Sequence, residues 1–553
     1  MATIIGRAHP LVGVVHLHEK GDRFQEALAV LKRLPVRRYD PATRQWLFPA
    51  YLLPRVKERL AELSVDYVES DFPLCGLRRP DVLEREDLKE YQRKGARFLA
   101  EAPHGVLLAD EMGLGKTVQA ILACEAFDAD LLVFAPAFLL EKWRQEVERW
   151  TGRRVLVFPD EVVSVEAEAV LVSYGQASAG DKGWEAVRRM TLEWRAQRRD
   201  RSLCVVFDEV QYLKNRRSRR FKNVLQLVRE IEKEAKAPVK RMGLSGTPIT
   251  RGRPDELLAI LEVLGLVDER GNAYSALIRE LIFRHLTVWE YNRFAGREVA
   301  VGLRPGRDLR EFCGLFTLRR TMEEVAGELP DLVRRVVPLP LDEEAFAAVL
   351  RKLMRDRRTD DEAEALVEEG LGVHLTTERR ALEASKAEHL KEYLRMLAEG
   401  GARRIGVFVW HRDVLKEVRK FLEGEGVFRG WRKAFVDGST SPRARESLVG
   451  SLAGSGDPVA LAATVGAVNV GMDLDWLEHA VVTGFDWSPA TFVQFEGRFR
   501  RISSKRSVCV HYLVGKRVEL RVLDVLLRKV KALDESFGGF ERQARVLAAL
   551  RRR

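Results

Sequence analysis

The sequence predicts an α/β protein with two lobes built on parallel β-sheets, a helical insertion between them, and a small N-terminal α+β domain. Three observations carry that expectation. Short apolar runs alternate with amphipathic helical patterns over residues 85–265, and the same alternation resumes over 401–515. A glycine loop, DEMGLGKT at 110–117, follows the first apolar run of the first stretch and opens a helical pattern. Such alternation implies parallel strands covered by helices on both faces, since each crossover returns the chain to the same end of the sheet. With 553 residues the chain is long enough for three or four domains of ~150 residues each.

Taken in order, residues 1–80 form the small unit. TIIGRAHPLVGVVHLH has strand character, and RFQEALAVLKRL puts Phe24, Ala27, Leu28 and Leu31 on one helical face. RRYDPATRQWLFP is a hairpin with Asp-Pro-Ala-Thr as its turn, and LLPRVKERLAEL is a second amphipathic helix. In 85–265 the buried strands are GVLLAD, DLLVFAP, AVLVSY, LCVVFDE and KRMGLSGTP. Residues 266–400 are mostly helical and charge-rich. In 401–515 the strands are RRIGVFVW, KAFVDGS, PVALAAT, HAVVTGF and SVCVHYLV. Residues 516–553 are helical and basic, with 11 Lys/Arg against 5 Asp/Glu.

Composition bounds the function. Hydrophobic residues make up 46% and charged residues 32%, which suits a soluble folded chain and not a disordered one. The net charge of +11 permits a polyanionic partner without requiring one. The five cysteines are scattered, with no C-x-x-C, and read as reduced core thiols of a cytoplasmic protein. The apolar run Leu131–Leu140 is too short to span a bilayer, and MATIIGRAHP lacks the regions of a signal peptide, so no membrane partner is expected.

The strand–loop–helix setting of DEMGLGKT is the one a phosphate-binding loop needs. Backbone N–H groups from Gly113 through Gly115 would approach phosphates without a Cβ in the way, aided by the helix N-terminus. Lys116 would reach the β/γ-phosphates of ATP, and the Thr117 hydroxyl would bind Mg²⁺. The bland alternative is a chance glycine turn on the surface. Ninety residues on, LCVVFDEVQ ends a strand in Asp208 and Glu209. Asp208 suits the Mg²⁺ shell, and Glu209 can orient or deprotonate the attacking water. LSGTPITRG (244–252) offers hydroxyls at another strand end. QFEGRFRRI spaces Gln494, Arg498 and Arg501 as i, i+4 and i+7, one face if helical, and the two arginines would stabilise transition-state charge. A basic surface helix is the competing reading.

Together these motifs resemble Swi/Snf-type DNA translocases of helicase superfamily 2, over residues 85–515. The resemblance implies two RecA-like lobes that share ATP, a DNA-dependent ATP hydrolase, and double-stranded or forked DNA as the nucleic-acid partner. In LKEYQRKGARFL, Gln92 matches the adenine reader, and an acidic start to the glycine loop is a habit of that family. LRRTMEEVAGELP (318–330) matches a family signature. Gly471 and Asp473 give the G-x-D of other superfamily 2 helicases, and Q-x-x-G-R-x-x-R departs from the family's D-R-x-H-R-I. DNA contacts implied by the resemblance are Pro136, Ser173, His411, Ser439, Thr464 and Trp487. Within the family the HARP-type annealing helicases are nearest, on YDPATRQWLFP (39–49) and the short linker TTERRALEASKAEHLKEYL (376–394). A strand-separating DNA or RNA helicase, or the motor subunit of a defence or restriction complex with protein partners, are the alternatives. The expected location is the cytoplasm, on the nucleoid in a prokaryote.

Overall fold

In the computed structural model the described residues are 3–17, 22–70, 74–158, 166–249, 252–268, 271–292, 296–304, 306–326, 332–339, 346, 374–468, 472–485, 489–501, 504, 506–515, 517–538, 540, 544–545 and 547–548. The chain divides into two compact units. One comprises Met1–Val325 with Lys531–Glu541, the other Ala326–Val530 with Arg542–Arg553.

The first unit begins with a five-stranded sheet, β1 (Thr3–His9), β2 (Val12–His16), β3 (Arg38–Asp40), β4 (Gln45–Pro49) and β5 (Tyr67–Ser70), in the order β3-β4-β2-β1-β5. β5 was not legible in the sequence. The β3–β4 hairpin closes as expected: Asp40 accepts hydrogen bonds from Ala42 N (3.1 Å) and the Thr43 hydroxyl (2.8 Å). Tyr39 faces Trp46 across the hairpin, with ring centroids 5.3 Å apart. The sheet packs on the rest of its unit, where His9 stacks on Tyr274 at 5.7 Å.

The larger sheet of this unit has seven strands, all parallel: β6 (Val106–Leu108), β7 (Ala129–Ala135), β8 (Val155–Val157), β9 (Ala169–Ser173), β10 (Ser202–Asp208), β11 (Val239–Leu244) and β14 (Thr317–Leu318). Their order is β14-β6-β11-β10-β7-β9-β8. β7, β9 and β10 are buried along their whole length, which explains their unbroken apolar sequence. Every sequence-predicted strand is present, with β8 and β14 in addition.

The second unit holds a six-stranded parallel sheet of β15 (Val333–Pro338), β16 (Arg404–Val409), β17 (Arg432–Val436), β18 (Val459–Thr464), β19 (His479–Val482) and β20 (Cys509–Val514), ordered β15-β20-β19-β16-β18-β17. The five strands read in the sequence are there. The described residues of 266–400 also hold strands that the sequence reading did not anticipate. They contain an antiparallel hairpin, β12 (Thr287–Asn292) with β13 (Arg297–Leu303), and they lend β14 to the first large sheet and β15 to the second. β14 is only two residues long, and β12 and β13 are largely exposed, so neither leaves a buried-strand signature in the sequence.

Candidate nucleotide site

In both large sheets the strands run the same way, so all carboxyl ends lie along one edge, where open α/β sheets bind ligands. In the first unit that edge gathers the glycine loop after β6, Pro136 after β7, Ser173 ending β9, Asp208 ending β10 and Ser245 after β11.

Gly115 precedes the Lys116–Ala126 helix with φ of +71°, a left-handed conformation that suits glycine. A Cβ there would also come 2.6 Å from Gln92 Nε2, so the loop and the Gln92 side chain approach closely. The Gln92 side-chain oxygen accepts from Lys89 N at 3.1 Å, fixing the start of its own helix. Thr117 lies half-buried on the first turn of the glycine-loop helix. Lys116 Nζ donates to the carbonyls of Asp110 (2.8 Å) and Glu111 (3.2 Å). Its burial pulls its pKa down, opposed by the nearby carboxylates of Glu209, Asp110 and Asp208.

Asp208 is 7% exposed and is held by two donors, Trp143 Nε1 at 2.8 Å and Glu209 N at 2.9 Å. Burial, then the adjacent Glu209 charge, push its pKa up to about 6, and Trp143 and Lys116 resist. Glu209 has φ of +51°, a strained setting for a non-glycine residue and one that proteins tolerate chiefly at functional sites. A hydrogen-bonded chain leaves it: Gln211 Nε2 donates to Glu209 (2.6 Å), the Ser245 hydroxyl donates to Gln211 (2.7 Å), and Thr247 N donates to Ser245 Oγ (3.0 Å). The DEVQ and SGTP motifs are thereby one network. Thr247 is fully buried, and its hydroxyl has no hydrogen-bond partner among the described residues. A buried orphan hydroxyl at the end of a chain that leads to Glu209 fits a ligand site, because a bound group would satisfy it.

The raised pKa of Asp208 has a consequence for metal binding. A raised acid pKa means that the folded state disfavours the carboxylate, a cost that begins to shrink as pH falls through about 6 and is gone only below the ordinary carboxylate range. A Mg²⁺ ion held by Asp208 would need the carboxylate, so the affinity of such a site should fall as pH drops from 7 through 6. Mg²⁺ titrations of nucleotide-bound protein across that range test this, and Asp208→Asn should show weak, pH-independent binding.

Two residues missed in the sequence bind the base of the loop. Arg320 Nε donates to Asp110 Oδ1 at 3.0 Å and Nη2 to Oδ2 at 2.5 Å. Gln119 Nε2 adds a bond to Asp110 Oδ2 at 3.2 Å. Arg319 donates to the carbonyls of Ala109 (2.6 Å) and Gly246 (3.0 Å), and to Gly538 (2.6 Å) in the C-terminal segment of the same unit. Its guanidinium lies 3.8 Å from the centroid of the Phe540 ring, and burial lowers its pKa to about 10. Glu111 accepts from Met322 N at 2.8 Å. The signal was present, in LRRTMEEV, but its partners lie two hundred residues away.

In the second unit His411 follows β16, Ser439 follows β17 and Thr464 ends β18, again along the carboxyl edge. Glu383, from the linker helix His374–Ser385, accepts from Trp410 N (2.7 Å), His411 N (3.0 Å) and His411 Nδ1 (2.5 Å). Ser439 is exposed, and its hydroxyl bonds Asp437. Pro136, Ser173 and Thr464 are buried, and Ser173 caps its helix through Gln176 N (3.1 Å). Trp487 and Gly471 lie outside the described residues. Of the basic run 214–222, Lys214, Arg216, Arg219 and Arg220 are engaged with partners inside their own unit.

One sequence expectation fails here. Gln494 lies in the helix Pro489–Glu496, but Arg498 and Arg501 lie beyond its end, so the three share no helical face. Gly497 N makes the last i→i−4 bond (2.9 Å), and Arg498 N turns back to Phe495 O at 3.0 Å. Arg498 is buried, and Arg501 Nε donates to Asp473 at 2.8 Å.

Comparison with known proteins agrees with this arrangement of motifs. Residues 91–358 match the SNF2-related domain, and residues 385–503 match the helicase conserved C-terminal domain. The Homo sapiens DNA annealing helicase and endonuclease ZRANB3 is 24% identical over 514 residues, covering 88% of this chain and 44% of that protein. The Xenopus tropicalis SWI/SNF-related matrix-associated actin-dependent regulator of chromatin subfamily A-like protein 1 is 25% identical over 553 residues, covering 92% of this chain and 54% of that protein. The chain thus spans about half the length of the curated relatives it matches. A solved Sulfolobus solfataricus SWI2/SNF2 ATPase core in complex with dsDNA aligns over 84% of this chain and 96% of that one, at 21% identity and a TM-score of 0.34. No helix among the described residues is long and apolar enough to cross a membrane. With both domains matched in order, the chain belongs to the Swi/Snf family of superfamily 2 helicase-like ATPases.

Proposed function

We propose that the protein hydrolyses ATP to translocate on duplex or forked DNA, remodelling or reannealing it. The observation that carries the reading is the network joining Lys116, Asp208 and Glu209 to Gln211, Ser245 and Thr247, inside a chain of this family. Lys116 supplies a buried positive charge for the terminal phosphates, and Gln92 lies against the loop where it can read the base. Asp208 and Thr117 would hold Mg²⁺, which when bound neutralises developing charge on the phosphates. Glu209 orients the attacking water and takes its proton. Arg498 and Arg501 are the cations proposed to stabilise transition-state charge, once Arg501 is released from Asp473.

ZRANB3 is named an annealing helicase, and the present chain is proposed to act on DNA in the same sense. Contacts made mainly to phosphates would be largely sequence-independent and salt-sensitive. His411, clamped by Glu383 at the carboxyl edge, and the exposed Ser439 are the described candidates best placed for them. ATPase rates measured with duplex DNA, forked and bubble duplexes, single-stranded DNA and RNA test the proposal. Duplex or forked DNA should stimulate most, with no unwinding of a blunt duplex. Stimulation by RNA alone would sink it in favour of a strand-separating helicase.

A further inference from the structure

At the edge of the second unit's sheet opposite the one that carries His411, Ser439 and Thr464, three metal-ligating side chains converge. His479 opens β19 and Cys509 opens β20, and the two are register partners in a parallel pair. His511 is two residues beyond Cys509 and so points to the same face of the sheet. One donor atom from each of the three lies within 4.8 Å of the others. His479 Nδ1 and His511 Nε2 are 2.9 Å apart. The Tyr393 hydroxyl, from the helix Ala387–Glu399, lies 2.8 Å from the other ring nitrogen of His511.

We propose that His479 Nδ1, His511 Nε2 and Cys509 Sγ form a binding site for a borderline transition-metal ion, zinc(II) by preference. Two imidazoles and a thiolate match the ligand chemistry of zinc, whereas magnesium and calcium take oxygen donors. Bonds of about 2.0–2.3 Å around a tetrahedral ion put ligand atoms roughly 3.4 Å apart, between the 2.9 Å that separates the two ring nitrogens and the 4.8 Å that encloses all three donors. The fourth position is left to water. Burial keeps both rings neutral near pH 7, with lone pairs available, His511 being lowered to about 4.

Tyr393 plays the part that outer hydrogen-bond partners usually play, fixing the ring and tautomer of a ligating histidine. If His479 Nδ1 donates its proton to His511 Nε2, His511 carries its own proton at Nδ1, towards Tyr393. Metal entry then requires His479 to move its proton to Nε2, with no net loss, and Cys509 to release one proton to solvent. Binding should therefore release about one proton per ion and weaken as pH falls. The ion would tie β19, β20 and, through Tyr393, the helix Ala387–Glu399 together at the amino ends of the strands, opposite the carboxyl edge of the same sheet, which makes its role structural.

The test uses cobalt(II) as a spectroscopic probe on the full chain. One equivalent is expected to bind, to show a thiolate-to-cobalt charge-transfer band, and to be displaced by zinc(II). Cys509→Ser should abolish the band and weaken binding by at least ~10-fold, while Tyr393→Phe should keep the band and weaken binding by about 10-fold. Zinc should raise the melting temperature of the parent protein and not of Cys509→Ser. His479→Gln, at a half-buried position, serves if the serine variant does not fold. Binding without the band, a band that survives in Cys509→Ser, parental cobalt affinity in His479→Gln, or no binding would overturn the proposal and leave a hydrogen-bonded histidine pair.

Discussion

Replacing Glu209 with glutamine is expected to lower the rate of ATP hydrolysis by about 10²–10⁴-fold while leaving nucleotide affinity near the parental value. The carboxylate is the group proposed to take the water's proton, and the amide cannot do so. The substitution is otherwise gentle. Glutamine has the same length, tolerates φ of +51° no worse than glutamate, and its side-chain oxygen can still accept from Gln211 Nε2. The Gln211–Ser245–Thr247 chain should therefore survive, so the loss would report on proton transfer and not on collapse of the network. Lys116→Ala provides the contrast. It removes the charge that meets the phosphates, so nucleotide affinity and turnover should fall together. Single-turnover hydrolysis and equilibrium binding of a fluorescent nucleotide separate the two cases. If Glu209→Gln hydrolysed ATP at the parental rate, the general-base assignment would be wrong.

Why the nucleotide site was legible in the sequence, and its frame was not, follows from locality. Lys116, Thr117 and the glycines sit within eight residues, and Asp208 with Glu209 end an unbroken apolar strand, so spacing alone places them. The buried strands were legible for the same reason: seven-residue runs such as Ala129–Ala135 are buried at every position. The strands β5, β8 and β14 are short or lie at sheet edges, where burial writes a weak pattern. The arginines that secure the loop sit beside it only because β14 adds to β6, a long-range pairing with no sequence period. Helical spacing misled at Arg498 and Arg501, because periodicity assumes a continuous helix and this one ends at Glu496. The linker at 376–394 shows no spacing that marks a contact, yet it supplies Glu383 to His411 and Lys386 Nζ to the carbonyls of Thr483 and Leu513, both at 2.7 Å.

Arg320→Ala is expected to destabilise the first unit by about 3–5 kcal/mol, the usual cost of leaving a buried charge without its partner. Asp110 is completely buried, and its carboxylate is met by both faces of the Arg320 fork and by Gln119. This accounts for a glycine loop that receives a polyanion yet opens with two carboxylates. The Asp110 side chain is held by the guanidinium, and Glu111 accepts the Met322 N–H, so both are engaged with the segment after β14. The loop's own carbonyls at those two positions hold Lys116 Nζ, so a loop that loses its clamp should also lose the lysine's placement. Nucleotide affinity should accordingly drop with stability. Gly95→Ala should reproduce the defect from the opposite side, because a Cβ there would overlap Gln119 Oε1 and come 2.5 Å from Arg320 Nη2. Replacing Asp110 and Arg320 together by apolar residues of similar volume should cost less than the sum of the single changes, since neither charge is then stranded. Urea unfolding of the four variants, the Asp110 single change included, followed alongside nucleotide binding, measures both effects. An Arg320→Ala protein with parental stability and parental affinity would show that the acidic start has some other purpose.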